Sequence, residues 1–426
     1  MKCFYLIISL ITPVLFFSCK KETDEIPPTI EVSSPTKNAS FNTFDTILVN
    51  SFLKDDQGLK IATVELLDID LNRVSSPITK TLNTQEFHLN VGLFIENIHL
   101  NSGKHYLLIT ASDENNTTKN FTQINVNGLP LITKGFMVFE SNGNNVSLHN
   151  YFIDTNYVVW ENTGPFKDGL IDNYYQQSGY LQGENGSFYA QPLNPFFDPW
   201  QLPPDQGGIT FCRAQPDEIG IQVGYKNGIL AIFIEEGNLR KTYHSEQTYF
   251  PALSLLNKEN VIVWQVQESQ LQNKIEVFFI GGTVRQISPF NPSIVDMVNK
   301  NIDEIYIGAN ENGDGQLLSY ELENGLYESI YELPNEPIVA LCKGEERVVY
   351  FSTAQGIYKY DEILGNPSTP LLLTDIPAIN MEWDFVNDAL ILTTENKLII
   401  TDKFGNALQT WFLDGFPEDL HIWYSK

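Results

Sequence analysis

From residue 209 to the end of the chain, short apolar runs and polar turns recur at a nearly fixed period. Prolines open successive units at Pro251, Pro292, Pro337, Pro377 and Pro417, spaced 41, 45, 40 and 40 residues apart, and Ile209 begins a similar unit 42 residues before the first. Each start leads into an apolar run (ALSLL, SIVDMV, IVALC, AINMEW). A second follows a polar turn (VIVWQV, EIYIGA, VVYFST, ALILTT), then a third (IEVFFI, LLSYEL, GIYKYD, KLIITD) and a looser fourth, as at 284–287 and 408–412. Runs of this length and composition between turn-forming residues are strands. Four strands per unit of this size is the pattern of a propeller blade. One four-stranded sheet cannot bury both of its faces; neighbouring blades bury them, and closing the ring removes the end faces of an open stack. Residues 209–416 hold five units, and 129–208 leave room for about two more. Residues 418–424 (EDLHIWY) match a first strand with no blade after it. This orphan strand predicts a ring closed by pairing with the runs at 135–140, 146–153 and 157–161. Seven blades are expected over 129–426, with six or eight as the alternatives.

Residues 28–128 follow a different rhythm. Short alternating runs at 28–32 (PTIEV), 46–52 (TILVNSF), 61–68 (IATVELLD), 87–91, 106–111 (YLLITA) and 121–126 (FTQINV) are separated by turn clusters such as Asp55-Asp56-Gln57-Gly58 and Asp113-Glu114-Asn115-Asn116. About seven strands in roughly a hundred residues predict an Ig-like β-sandwich. The phrases PPTIEVSSP, DDQGLKIATVEL and HYLLITASDENNTTKNFTQINV resemble a bacterial Ig-like module, which implies a spacer. The fold class expected for the whole chain is all-β, a sandwich followed by a propeller. The repeats themselves are similar to the divergent seven-bladed propellers of exported bacterial proteins.

The first 19 residues, MKCFYLIISLITPVLFFSC, place Lys2 before a 14-residue uncharged run. That run is shorter than the roughly 20 residues a helix needs to cross a bilayer, and it fits the apolar region of a signal peptide. Ser18-Cys19 at its end resembles a bacterial lipoprotein signal, which implies thioether lipidation of Cys19, cleavage before it and a membrane partner reached through lipid. The polar stretch 20–27, KKETDEIP, suits a tether. Lysines followed by acidic residues there are similar to the surface-export signal of Bacteroidetes-type lipoproteins, which implies an outer-membrane anchor facing the cell surface rather than the periplasm. Cys3 leaves with the signal. Cys212 and Cys342 lie in apolar runs of different repeats, so buried free thiols are expected over a single bridge.

The 26 Lys and Arg against 53 Asp and Glu give a formal charge of −27. A surface this acidic repels phosphate backbones and excludes nucleic acid as a partner. The sequence has no GxSxG elbow, HExxH, P-loop or GxGxxG fingerprint, so no catalytic residue and no cofactor is assigned. The six histidines lack ligand spacing, although ring closure could bring His149 near His421. Asn310, Asn312, Asp314 and Glu321 match the spacing of a Ca²⁺ loop with Asn in the first position, in a stretch that also reads as a plain hairpin turn. Residues 172–201 look least regular; Tyr174, Tyr175, Tyr180, Tyr189 and Trp200, set among amides, suit a sugar or peptide ligand, or else blade packing. The expected function is a non-enzymatic envelope protein presenting a propeller to a glycan, peptide or protein partner. The alternative is an exported propeller glycoside hydrolase or lyase using paired carboxylates, with Asp296 and Glu382 the nominees.

Overall fold

The structure, a computed structural model, describes residues 26–426 apart from 70, 72, 153–154, 184–185, 194–197, 203–207, 216–219, 235–236, 247, 258–259, 268–271, 346, 363–370 and the side chains of 371–372. The signal-like segment, Cys19 included, and residues 20–25 of the tether lie outside the described residues. Among the described residues no helix is long and apolar enough to cross a membrane. The chain forms two compact units, one up to Pro130 and the other spanning Leu131–Ser425.

The first unit is built around a 22-residue strand, Thr46–Leu67. Its first half pairs with Thr29–Ser34 and its second half with Gly103–Ser112, while Ile78–Phe94 runs along its other edge. Thr117–Asn127 and Ser40–Asn42 complete the hydrogen-bonded path. The expected turn at Asp55–Gly58 is instead a bulge inside this continuous strand. Asp55 is buried and accepts the backbone N–H groups of Gln57 at 2.9 Å and Gly58 at 2.5 Å. The register slip changes which parity faces inward: Ile47, Val49 and Leu53 before it, Ala62, Val64 and Leu66 after it, all in one core. A bulge lets a strand bend without turning its apolar set out to water.

The second unit consists of seven four-stranded antiparallel sheets. Numbered along the chain, blade 1 spans Phe166–Asp172, Gln177–Gln182, Phe188–Pro192 and Trp200–Leu202, so the segment expected to be irregular is an ordered blade. Blades 2 to 6 begin with inner strands Ile209–Arg213, Tyr249–Asn257, Ser293–Asn299, Ala340–Lys343 and Asn380–Asp384. Blade 7 joins the C-terminal strand Phe416–Ser425 to Ile132–Asn142, Asn145–Phe152 and Thr155–Thr163. The closure expected from the orphan strand is therefore present, with Leu420 opposite Val138 and Ile422 opposite Phe136.

The sequence pattern explains the ring. Central strands are apolar on both faces: in blade 4, Ile305 and Ile307 pack toward blade 3 while Tyr306 packs toward blade 5. Each of the seven seams between adjacent blades has its own buried apolar cluster, and the last two tie blade 6 to blade 7 and blade 7 to blade 1. Inner strands touch their neighbours all the way round, with Phe416–Ser425 between the inner strands of blades 6 and 1. The unit is a seven-bladed β-propeller. Trp160, Trp264 and Trp383 are core residues and Trp423 is half-buried. Cys212 and Cys342 are buried free thiols.

Candidate functional site

Each blade's inner strand has one edge with no further strand to pair, so its backbone groups need other partners. Side chains of adjacent blades supply them. Asp168 accepts the N–H of Cys212 at 2.8 Å, Gln215 that of Leu256 at 2.5 Å, and Glu382 that of Ile422 at 2.8 Å. The turn after blade 1's inner strand clasps the closing strand. Asn173 accepts from Tyr424 N–H at 2.8 Å and donates to Ile422 O at 2.9 Å. Gln176 donates to Tyr424 O at 2.7 Å and accepts from Trp423 Nε1 at 2.8 Å.

A bulge recurs at one position of five inner strands, where the extra residues are Lys167, Thr210, Ala252, Val295 and Glu418. In three of them the next residue is an aspartate, Asp168, Asp296 or Asp419. Each accepts the N–H of its own successor, at 3.1, 2.7 and 2.8 Å respectively. Bulges re-aim side chains, and here they deliver carboxylates to the axis of the ring.

Two ionic knots hold these groups. Arg213, from blade 2, reaches past blade 3 to Asp296 of blade 4 at 2.7 Å, and it also donates to the carbonyls of Ser254 at 3.2 Å and Met297 at 3.4 Å. His421 lies between Glu382, 3.1 Å from its Nδ1, and Asp419, 3.2 Å from its Nε2; the same Nε2 approaches the carbonyl of Gly169 at 3.2 Å. Gly169 has no room for a side chain, because a Cβ would stand 2.8 Å from the Phe139 ring. These five ionic side chains keep between 19% and 27% of their surface exposed, so the axis is partly open to solvent.

The electrostatics follow from this crowding. Burial and then the Asp419 carboxylate push the Asp168 carboxyl up to about 7, against the pull of the Cys212 N–H. Burial raises Asp296, with Arg213 opposing it. Burial works against a charged His421, yet Asp419 and Glu382 outweigh it and hold the imidazolium well above the usual histidine range. The Cys212 and Cys342 thiols are pushed up by burial first and by nearby carboxylates second, which disfavours thiolate chemistry.

The residues nominated from sequence fall in several places. Asp296 and Glu382 both reach the axis, each tied to its cation. His149 bonds Ser147 Oγ at 2.8 Å and lies 3.7 Å from Glu140, and among the described residues it shares no hydrogen-bond or ion-pair partner with His421. Tyr180 is 1% exposed, with Trp160 at 4.8 Å and Tyr189 stacked on it at 5.2 Å between ring centroids. Trp200 packs against Phe188 and Phe233 at the seam of blades 1 and 2 and donates to Gln177 at 3.0 Å. Tyr174 and Tyr175 are half-buried in the clasp turn, edge to face.

The calcium-type spacing resolves into a hairpin. Asn312 and Gly313 sit at its tip with φ of 55° and 95°, between paired Glu311 and Asp314. Glu321 pairs with Glu304 at the far end of the same hairpin, so it does not converge with the tip as a bidentate ligand would. Asn310 is bonded both ways to Ile338, and Asp314 accepts from Asn335 N–H at 2.6 Å. Among the described residues no group of three His, Cys, Asp or Glu side chains could hold a metal ion.

Sequence reasoning missed Asp168, Arg213 and Asp419. A signal for two of them is visible in hindsight: an acidic residue just after the opening residues of a unit, as in FKDG and FPEDL. At the same end of the inner strands, Lys167, Thr210 and Ala252 on their bulges join Lys226 and Phe250 around a hollow of about 250 Å³.

No protein-family model matches the chain, and no characterised protein matches its sequence. Solved structures similar to it include a quinonprotein alcohol dehydrogenase-like protein from Bacteroides thetaiotaomicron, at 14% identity over 92% of this chain and 99% of that one, TM-score 0.46. Saccharomyces cerevisiae Sqt1 is 12% identical over 68% of this chain and 89% of its own, TM-score 0.48. Chaetomium thermophilum Raptor is 10% identical over 59% of this chain, TM-score 0.45, and the match spans 25% of the Raptor chain.

Proposed function

We propose that the chain is a lipid-anchored protein of the outer membrane, facing the cell surface, which binds a glycan, peptide or protein partner through its propeller and does not transform it. One observation supports binding over chemistry: the carboxylates at the axis are engaged in holding the ring. Asp168 and Glu382 cap backbone N–H groups of the next blade, Asp296 is tied to Arg213, and Asp419 to His421. A glycosidase needs two carboxyl groups that face substrate, one protonated and one not. The hollow beside Lys167 and Lys226 is a natural landing point for a partner, since its cations stand out on a chain of net charge −27.

The test is a glycan and peptide array with the whole protein, repeated with Lys226→Ala, Tyr189→Ala and Trp200→Ala. Loss of a parental signal in Lys226→Ala places the partner at the hollow; loss only in the aromatic variants, with the parent's melting temperature kept, places it on blade 1, whereas loss with a lowered melting temperature reports their packing in the seams. Absence of any signal refutes the reading. Anchoring is tested by metabolic labelling with an alkyne fatty acid, which Cys19→Ser should abolish.

A second reading, hydrolysis or lysis of a polysaccharide, is favoured by one feature, the Asp168 carboxyl held near 7 beside Asp419. It requires turnover that Asp168→Asn removes while leaving binding intact.

A further inference from the structure

The first unit carries a second candidate surface of its own. Three strands lie side by side there in register: Glu31 opposite Phe52 opposite His88, and Asn50 opposite Asn90. Strand residues two apart share a face, so Glu31, Ser33, Asn50, Phe52, His88 and Asn90 stand together on the side away from the core. The intervening Val32, Ser51 and Leu89 turn inward. These residues surround a concavity of about 460 Å³, within the roughly 300–1,000 Å³ typical of small-ligand sites.

Its chemistry is selective. Phe52 and His88 form an aromatic floor, with ring centroids 4.8 Å apart and planes inclined by 41°. The side chains of Glu31, Asn50 and Asn90 make no hydrogen bond to any other described residue, unlike the amides and carboxylates of the propeller axis. An amide offers two donors and an acceptor, and a carboxylate accepts only. Together they match the mixed donors and acceptors of vicinal hydroxyls, while an aromatic floor suits the C–H face of a pyranose ring. The carboxylate and the overall charge of −27 repel polyanions, which removes uronic-acid and sulfated polymers.

We propose that this face of the first unit binds a neutral saccharide, making that unit a recognition module in addition to a spacer. Sugar rings stack on Phe52 and His88, and their hydroxyls pair with Asn50, Asn90 and Glu31. The next row of the same face holds the Lys54–Glu86 ion pair, at 2.7 Å, so a longer chain would run along the strands past a polar border.

The experiment is calorimetric titration of the whole protein with neutral hexasaccharides of the β-1,4-glucan, α-1,4-glucan, β-1,4-mannan and β-1,4-xylan types. At least one should bind, and Phe52→Ala should weaken it by about tenfold or more, the effect of removing one aromatic platform. Asn90→Ala and Glu31→Gln should each weaken it about threefold or more, as expected for one lost hydrogen bond. Glu31 and Asn90 are exposed and the half-buried Phe52 lies outside the core cluster, so melting temperatures close to the parent's accompany these losses. The propeller variants Lys226→Ala and Trp200→Ala should leave this binding unaltered, which keeps its failure separate from failure of the propeller reading. Binding by none of the four sugars, binding indifferent to Phe52→Ala, or Phe52-dependent capture of a neutral oligopeptide in their place would overturn the proposal.

Discussion

Replacing Asp168 with Asn tests whether the axis is as electrostatically crowded as its geometry implies. In the folded chain this carboxyl is held at about 7, whereas in an unfolded chain it titrates near 3.9. Between those values the unfolded chain has released the proton and the folded chain keeps it. Stability from this group therefore falls as pH rises through that window and is level on either side. The full difference corresponds to roughly 4 kcal/mol, and partial opening of the axis to solvent reduces the expected cost to about 2 kcal/mol. The amide removes that cost. It keeps one oxygen for the Cys212 N–H but gives up the one that accepts from Gly169 at 3.1 Å, a loss of about 1 kcal/mol. Urea unfolding followed by tryptophan fluorescence should show the variant near or slightly below the parent at about pH 5 and more stable by about 1 kcal/mol at about pH 8.5. His421 adds its own decline as pH rises above about 6.5 in both proteins, and because its charge also pulls the Asp168 carboxyl down, the difference reports Asp168 together with that coupling. A variant destabilised equally at both pH values would refute the reasoning.

Ending the chain at Gly415 removes Leu420, Ile422 and Tyr424, each 2% exposed. At about 1.5–3 kcal/mol per buried side chain, this rivals the roughly 5–15 kcal/mol that holds a typical protein together. The truncated propeller should lose its cooperative melt and aggregate, as read by circular dichroism and gel filtration. Asn173→Ala strips partners from Tyr424 N–H and Ile422 O and should cost about 2 kcal/mol in urea unfolding; an unchanged midpoint would mean water replaces the clasp. Iodoacetamide should leave Cys212 and Cys342 unlabelled in the native protein and label both in denaturant, mapped by peptide mass, because both thiols are buried with their pKa values raised.

Burial on two faces made the propeller legible. A run such as Val261–Trp264 within the strand Asn260–Gln267 is apolar on both faces, and stacked sheets satisfy that pattern. The orphan run after Pro417 then implied closure, because a lone strand that keeps the repeat's pattern must complete a sheet somewhere else. What escaped the sequence was local geometry that changes a residue's neighbours without changing its type. Asp55 through Gly58 reads as a turn by composition, yet the same residues bend one strand and keep it paired. Residues 172–201 look unusual for their aromatics, yet Tyr180, Phe188 and Trp200 fill the seams of blade 1 as Tyr306, Tyr350, Phe351 and Trp383 fill those of other blades, so aromatic richness there reflects packing as well as exposure. The axial groups were hidden for a related reason. Asp168, Asp296 and Asp419 are three acidic residues among 53, and what they share is the place just after the extra residue of an inner-strand bulge. Periodicity gives a residue's place along a strand, but a bulge shifts that place by one, and only the pairing register reveals it. The concave face of the first unit illustrates the same limit: Glu31, Asn50, Phe52, His88 and Asn90 come from three separate runs and form a surface only once the register Glu31–Phe52–His88 is fixed.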